Sequence, residues 1–178
     1  VICDGYPDSA EKRAESARLS GDQNTPNSPY PYQQDEPFFW RTGAAFADWN
    51  GDGIMDFVTL DGFTRKATLF VQYRAADGTL RLRKDRELQL SDGRPIDDSI
   101  VERAAHWTES FRAVDWDGDG LMDLIYNCAG TDDAKGSIYL LRNCGTKTDP
   151  VFEPPVTLCC FGVPIKVTAY GPNAWPAD

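Results

Sequence analysis

Two nine-residue stretches of the chain are almost identical, and they constrain the fold more than any other feature. They cover residues 48–56 (DWNGDGIMD) and 115–123 (DWDGDGLMD) and begin 67 residues apart. In both, oxygen-bearing side chains occupy positions 1, 3, 5 and 9, and glycine occupies positions 4 and 6. Oxygen ligands at alternate positions of a tight turn converge on one hard cation, and glycine permits the backbone angles of such a turn. The sequence therefore predicts two calcium loops.

The predicted ligands of Ca²⁺ are the residues at positions 1, 3, 5, 7 and 9, of which position 7 offers its backbone carbonyl. In the first loop they are Asp48, Asn50, Asp52, Ile54 and Asp56. In the second loop they are Asp115, Asp117, Asp119, Leu121 and Asp123. Because position 3 is a neutral amide in the first loop and a carboxylate in the second, we expect the second loop to bind more tightly.

Two alternatives to strand-connecting calcium loops are an EF-hand and a metal-free acidic turn. An EF-hand loop needs Glu at position 12 and flanking helices, but position 12 is Thr59 or Tyr126 here. The runs that follow, residues 57–60 and 124–126, are β-branched and aromatic, which is typical of strands. Asp and Gly are common in ordinary turns, yet two copies in register favour a cation, since converging carboxylates repel one another without one.

Length and charge limit the class of protein. The chain has 178 residues, enough for one domain with a sizeable core, and carries a net charge of −10. This acidity argues against nucleic acid and anionic membranes as partners. No apolar run is long enough to span a bilayer. A start at Val1 without a signal-peptide pattern is interpreted as a mature, processed chain.

The cysteines indicate an extracellular protein. Their spacing matches no zinc motif, and an oxidising compartment fits both the cysteines and the calcium concentration that weak loops need. Buried, reduced cysteines in a cytosolic protein are the alternative. The odd count leaves one thiol free or paired between chains, and the remaining thiols are predicted to form disulfides. The five cysteines are Cys3, Cys128, Cys144, Cys159 and Cys160.

The chain divides into a lead-in and a repeat. Residues 1–36 are polar and proline-rich, and only a helix-compatible patch near residues 10–19 interrupts them. After them, short apolar runs alternate with Gly, Asp and Asn, and Phe46 and Ala113 are predicted to face inward on the strands before the loops. Three to four strands per unit predict all-β propeller blades. The predicted units are residues 37–105, residues 106–168 and the start of a third blade at residues 169–178.

The strands within each unit are also predicted. In the first unit they are residues 56–60, 67–73 and 80–84, and in the second unit 123–128, 137–142 and about 151–158. An insertion at residues 91–103 has the composition of a turn of helix. Asp178 occupies the place where a third loop would begin, so the chain is interpreted as part of a longer array or one completed from outside.

At the two loops the chain resembles the FG-GAP/VCBS repeat family, whose blades carry a D-x-[DN]-x-D-G-x-x-D loop between their first two strands. The resemblance covers about residues 38–178, although the FG-GAP motif itself is not kept. It implies a calcium-stabilised propeller of seven blades when complete, in which calcium is structural. Integrin α-chain heads, bacterial surface proteins, lectin-like modules and some polysaccharide lyases have this fold, so the fold does not select one function.

The same resemblance implies a ligand face opposite the loops. Trp40, Arg41, His106 and Trp107 are predicted to bind a ligand there, with Tyr170 nearby. Trp stacks on sugar rings, and Arg or His addresses uronate carboxylates, which suits an acidic polysaccharide. In a lyase, His106 or Tyr170 would remove the proton next to the carboxylate while Arg41 neutralised the enolate. Core packing of Trp40 and Trp107 is the simpler alternative.

Three functions follow from these observations. The first is a non-catalytic, extracellular calcium-binding propeller segment that recognises a glycan or a protein and packs against further blades of the same or another chain. The second is a lyase that acts on a uronate polymer. The third is a structural subunit whose open blade edges join copies into an extracellular assembly.

Overall fold

The computed structural model describes residues 3–4, 42–62, 64–97, 99–101, 105–129, 137–166 and 174–176. For residues 3, 4, 105–108 and 129 it describes the backbone alone. The strands in chain order are β1 (Cys3–Asp4), β2 (Thr42–Gly43), β3 (Ala45–Ala47), β4 (Asp56–Leu60), β5 (Ala67–Arg74), β6 (Leu80–Glu87), β7 (Ala105–Val114), β8 (Asp123–Ala129), β9 (Ile138–Leu141), β10 (Val156–Thr157), β11 (Cys159–Cys160) and β12 (Val163–Pro164).

Ten of these twelve strands form two five-stranded sheets of the same design. The first sheet has the order β1-β6-β5-β4-β3 and the second has the order β10-β9-β8-β7-β2. In each, four strands that are consecutive in the chain form an antiparallel meander, and one short strand adds in parallel at an edge. Strand β2, which directly precedes the first meander, pairs with β7 of the second.

The prediction of an all-β fold is confirmed, and the described residues contain no helix. Strand β4 has the predicted bounds, and β5 and β6 each run beyond the predicted end. Strand β9 is two residues shorter than predicted, and the strand predicted at residues 151–158 is reduced to β10. The described part of the insertion, residues 91–97 and 99–101, forms turns and isolated bridges in place of the predicted helical turn.

A hydrophobic core, here called the shared core, fills the space between the two sheets. Strands β4 and β8 bury both of their faces, which explains their unbroken apolar runs. From the first sheet the shared core contains Ala45, Ala47, Val58, Leu60, Leu69 and Val71, and from the second sheet Phe111, Leu124, Tyr126, Tyr139 and Leu141. The opposite faces carry a first outer cluster (Phe57, Phe70 and Leu82) and a second outer cluster (Ile125, Ile138 and Leu140).

Equivalent residues of the two repeats point in the same direction. Val58 faces the shared core, whereas Ile125, 67 residues later, lies in the second outer cluster. Conversely, Leu124 faces the shared core, and its equivalent Phe57 lies in the first outer cluster. The second sheet therefore stacks on the first in the same orientation, and the two are not related by a twofold axis.

The predicted orientation of Phe46 is wrong. Its side chain is 55% exposed and packs against the Phe57 ring at 5.5 Å between centroids, on the face away from the shared core. The physical reason is the alternation of side chains along β3: the residues on either side of Phe46 face the shared core, so Phe46 points to the opposite face. The neighbouring residues that face the shared core are Ala45 and Ala47, whose small side chains fit there. Ala113, in contrast, packs against the shared core as expected.

The C-terminal part of the described chain covers the second sheet. Leu158 and Ile165 pack against the second outer cluster, as does Ala174. Strands β11 and β12 form an exposed hairpin whose two turn residues, Phe161 and Gly162, both have positive φ. In the described part of the chain, no helix has the length and apolar character needed to cross a membrane.

The divisions predicted at the chain's ends are mostly outside the described residues. Of the lead-in only Cys3–Asp4 is described, as the strand that joins the edge of the first sheet at β6. The helix-compatible patch at residues 10–19 lies outside the described part, and of residues 169–178 only 174–176 are described.

Candidate functional site

The second loop, residues 115–122, is shaped by its own carboxylates and glycines. Asp115 accepts backbone N–H bonds from Gly118 at 2.8 Å, Asp119 at 3.1 Å and Gly120 at 3.0 Å. Gly118 and Gly120 have φ of 77° and 87°, angles that other residues rarely adopt. The loop therefore closes around the carboxylate at position 1.

This loop gathers three acidic side chains. One carboxylate oxygen from each of Asp115, Asp117 and Asp119 lies within 4.8 Å of the other two, and the last two residues are exposed. A carboxylate oxygen has two acceptor lone pairs, so the backbone bonds to Asp115 leave capacity for a cation. A donor set of oxygens alone suits hard cations such as Ca²⁺ and Mg²⁺.

The first loop, residues 48–55, repeats this geometry with an amide at position 3. Asp48 accepts N–H bonds from Gly51 at 2.7 Å and Gly53 at 3.1 Å. The Asn50 amide donates to Asp52 at 3.1 Å, which holds the position-5 carboxylate in place through a neutral group. Burial raises the pKa of Asp48, but the two glycine N–H groups and nearby Lys147 outweigh it, and the pKa lies below its usual value.

The aspartates at position 9 are buried and hold each loop to its sheet. Asp56 accepts N–H bonds from Trp49 at 3.2 Å and from Gln72 of β5 at 2.9 Å. Asp123 likewise accepts from Trp116 at 3.0 Å and from Asn143, just beyond β9, at 2.7 Å. Both oxygens of each carboxylate are thus used by the backbone. Burial raises the pKa of Asp56, and these N–H bonds offset only part of that rise.

The residues at position 7 donate their backbone N–H groups within the loops, and their role as carbonyl ligands stays a prediction. Ile54 donates its N–H to Asp52 at 2.8 Å, and Leu121 donates to Asp119 at 2.8 Å. Both side chains are half-buried, so each fixes the end of its loop against the protein. The position-5 carboxylates are in this way oriented by the residue two places further along.

The two loops lie side by side. A cleft of about 140 Å³ is lined by Asp48 and Trp49 of the first loop, Gly120 and Met122 of the second, and Lys147. The packing differs between the repeats, because Trp49 is 2% exposed and meets the Phe152 ring edge-on, whereas Trp116 is 49% exposed. The first loop therefore rests against the second sheet, and the second loop is more open.

Sequence reasoning missed two basic residues at the loops. Arg142 forms an ion pair with Asp117, and the Lys147 ammonium lies 3.8 Å from Asp48. Both come from the connection between β9 and β10. Their distance in sequence from the loops leaves no local pattern by which they could have been found.

The predicted ligand face is outside what the structure describes. Trp40, Arg41 and Tyr170 are not among the described residues. His106 and Trp107 lie in β7, for which only the backbone is described at these positions. Glycan recognition and lyase chemistry by these residues stay predictions.

No disulfide joins any two of the four cysteines whose side chains are described, so the predicted disulfides are not found among them. Cys128 is buried, and Cys144, Cys159 and Cys160 are exposed. Adjacent residues of a strand point to opposite faces, which keeps the last two thiols apart.

Comparison with family models, with curated proteins and with solved structures gave no match to this chain. The class of protein is thus defined by the fold and the loops alone: an all-β protein of two stacked meanders with an acidic loop cluster.

Proposed function

We propose that this chain is a calcium-binding segment of a β-propeller, in which Ca²⁺ stabilises the loops and the propeller recognises a glycan or a protein. The observation that carries the proposal is the recurrence of one loop geometry at the same place in two successive meanders. In each repeat the position-1 carboxylate binds the loop N–H groups, and the position-9 carboxylate binds a backbone N–H in the third strand of the meander (Gln72) or just beyond it (Asn143).

The stacking of the sheets supports propeller blades. Sheets that stack in one orientation present different faces to each other, and such heterologous contacts extend in one direction until a ring closes. The first outer cluster is the equivalent of the face that the second sheet presents to the shared core. A further sheet of the same design, from the same or another chain, is the occupant that this repetition favours.

The donor chemistry supports Ca²⁺ over softer metals. The candidate ligands are carboxylate, amide and carbonyl oxygens. Because the loops are exposed, water can complete the six to eight oxygen ligands that Ca²⁺ takes. Loops of this charge in extracellular modules bind with a Kd of about 10⁻⁴ to 10⁻³ M, which matches extracellular calcium. We therefore also propose an extracellular location. The net charge of −10 supports a partner other than nucleic acid.

Cation binding is tested with variants that disable one loop each. Trp49 and Trp116 stand at position 2 of the loops, so Tb³⁺ luminescence excited through the indole reports occupancy, and Ca²⁺ is then titrated as a competitor. We expect two sites in the unchanged chain and one site in each of Asp52→Asn and Asp119→Asn. The remaining site in Asp52→Asn should be the tighter one.

The matched control is Asp77→Asn, which removes the same charge from the turn between β5 and β6, where Asp77 binds Thr79. This variant should keep two sites. The proposal fails if the unchanged chain binds no Ca²⁺ at millimolar concentration, or if the control loses as much binding as the loop variants.

A further inference from the structure

One short segment supplies positive charge to both loops. Residues 142–149 follow β9, and Arg142, at the start of the segment, reaches Asp117 of the second loop. Lys147 reaches the first loop, where its ammonium lies 3.8 Å from Asp48. The ammonium also lies beside Gly51, where an added Cβ would be 3.7 Å from it. The segment thus lies against both candidate cation sites.

The segment is held rigidly, so the two basic side chains start from fixed positions. The side-chain amide oxygen of Asn143 accepts N–H bonds from Gly145 at 3.0 Å and Val151 at 3.3 Å. The backbone N–H of Asn143 donates to Asp123. A Cβ on Gly145 would lie 2.4 Å from the Asp149 carbonyl oxygen, so no larger residue fits without a backbone shift. Asp149 in turn pairs with Arg86 of the first sheet.

The two basic side chains neutralise loop carboxylates, and they would compete with a bound cation for the same carboxylates. Converging carboxylates repel one another, and a nearby cationic side chain relieves that repulsion. A divalent cation relieves it more strongly, but it must share or displace the guanidinium at Asp117. The same competition applies at Asp48, with a weaker effect because the Lys147 ammonium lies 3.8 Å from the carboxylate.

We propose that Arg142 and Lys147 are built-in counter-ions that compete with the bound cation and set the affinity of the second and first loop, respectively. The inference rests on the proposed calcium function and adds residues that determine the strength of binding. Because Arg142 lowers the cation affinity of the second loop, which has more carboxylates, the affinities of the two loops lie closer together than their numbers of ligand charges predict.

The test measures cation affinity in a chain with one active loop. Arg142→Gln is made in the Asp52→Asn background, where the second loop binds alone, and Lys147→Gln is made in the Asp119→Asn background. An exposed ion pair contributes little, so removing Arg142 should tighten Ca²⁺ binding about two- to fivefold at low ionic strength. The gain for Lys147→Gln should be smaller, and added salt should reduce both.

Arg94→Gln is the matched control, since Arg94 pairs with Asp92 inside its own turn. It removes the same charge and should leave the affinity unchanged. Arg142→Lys keeps the charge and should bind as the parent does. The metal-free chain should unfold at lower urea concentration in Arg142→Gln than in Arg94→Gln. Replacing a residue with a purely structural role would lower both the stability of the metal-free chain and its Ca²⁺ affinity. Replacing a counter-ion lowers that stability and raises the Ca²⁺ affinity.

The outcomes distinguish a failure of the counter-ion role from a failure of the proposed calcium function. Tighter binding in Arg142→Gln but not in Arg94→Gln supports the counter-ion role. Binding that is unchanged or weaker in Arg142→Gln, in a parent that does bind Ca²⁺, overturns the inference alone. No binding of Ca²⁺ or Tb³⁺ by any variant overturns the calcium function and the inference with it.

Discussion

At the scale of single residues, most described ion pairs are exposed, and one small network is shielded. Glu87 binds Lys66 at 2.7 Å and lies 3.5 Å from Lys84, which also contacts the buried Asp61 at 3.0 Å. Burial raises the pKa of Glu87, but the hydrogen bond and charge of Lys66 and the charge of Lys84 outweigh it, so the pKa lies below its usual value. The folded state therefore favours the ionised carboxylate.

This shift predicts a pH dependence of stability. Because the pKa is lower in the folded state, the contribution of Glu87 is present above the unfolded-state pKa of about 4.3 and is lost as pH falls through the folded-state value. We expect Glu87→Gln to cost about 1 kcal/mol at pH 7 and much less at pH 3. Urea unfolding at both pH values measures it. An equal loss at both would show that the effect is packing.

At the scale of elements, each loop is shaped by its own hydrogen bonds and is positioned by its sheet. Within the loop, carboxylates at positions 1 and 5 bind N–H groups two to five residues away. The position-9 carboxylate reaches across the sheet to the third strand of the meander in the first repeat and to Asn143, just beyond that strand, in the second. Local bonds thus give the loop its shape, and one longer bond fixes where it lies.

This division predicts that the aspartates of one loop have different effects on stability. In Asp123→Asn one of two backbone N–H groups, the part-buried one of Trp116 or the buried one of Asn143, faces an amide NH₂ in place of an oxygen. An unsatisfied buried donor costs about 1–3 kcal/mol, so the metal-free chain should lose that much stability in urea. Asp119→Asn is the control, since its side chain is exposed, and should cost less than about 0.5 kcal/mol. Equal losses would contradict the assignment.

At the scale of the whole molecule, the shared core makes the two sheets interdependent. Most of the largest buried side chains, including Trp49, Phe111 and Leu124, lie between the sheets. Neither meander has a second large core of its own among the described residues, because each outer cluster contains only three buried residues. We therefore expect the described sheets to unfold as one cooperative unit.

Cooperative unfolding predicts that a cavity in the second sheet destabilises the first. Leu124→Ala, in β8, should cost about 2–5 kcal/mol, because its side chain is fully buried in the shared core. Hydrogen exchange should then accelerate in β4 and β5 as well as in β8 and β9. Val163→Ala, in the exposed hairpin, is the control and should change neither sheet. Acceleration confined to the second sheet would show that the sheets unfold independently.

The sequence by itself determined the loops and the strands that follow them. Loop shape depends on Asp and Gly at fixed short spacings, so the local pattern predicted a tight turn whose glycines take special backbone angles, and Gly118 and Gly120 have positive φ. The bounds of β4 were predicted for the same reason, since a loop with a fixed end also fixes the start of the next strand.

Only the tertiary structure decided which face of each strand is buried and what lies against the loops. Phe46 points away from the shared core because its two neighbours in β3, Ala45 and Ala47, are the residues that pack in that core. Arg142 reaches the second loop because β9 pairs with β8 and ends beside that loop, and Lys147 reaches the first loop because the second sheet stacks on the first. Both results depend on contacts between residues far apart in the chain, which a local pattern does not encode.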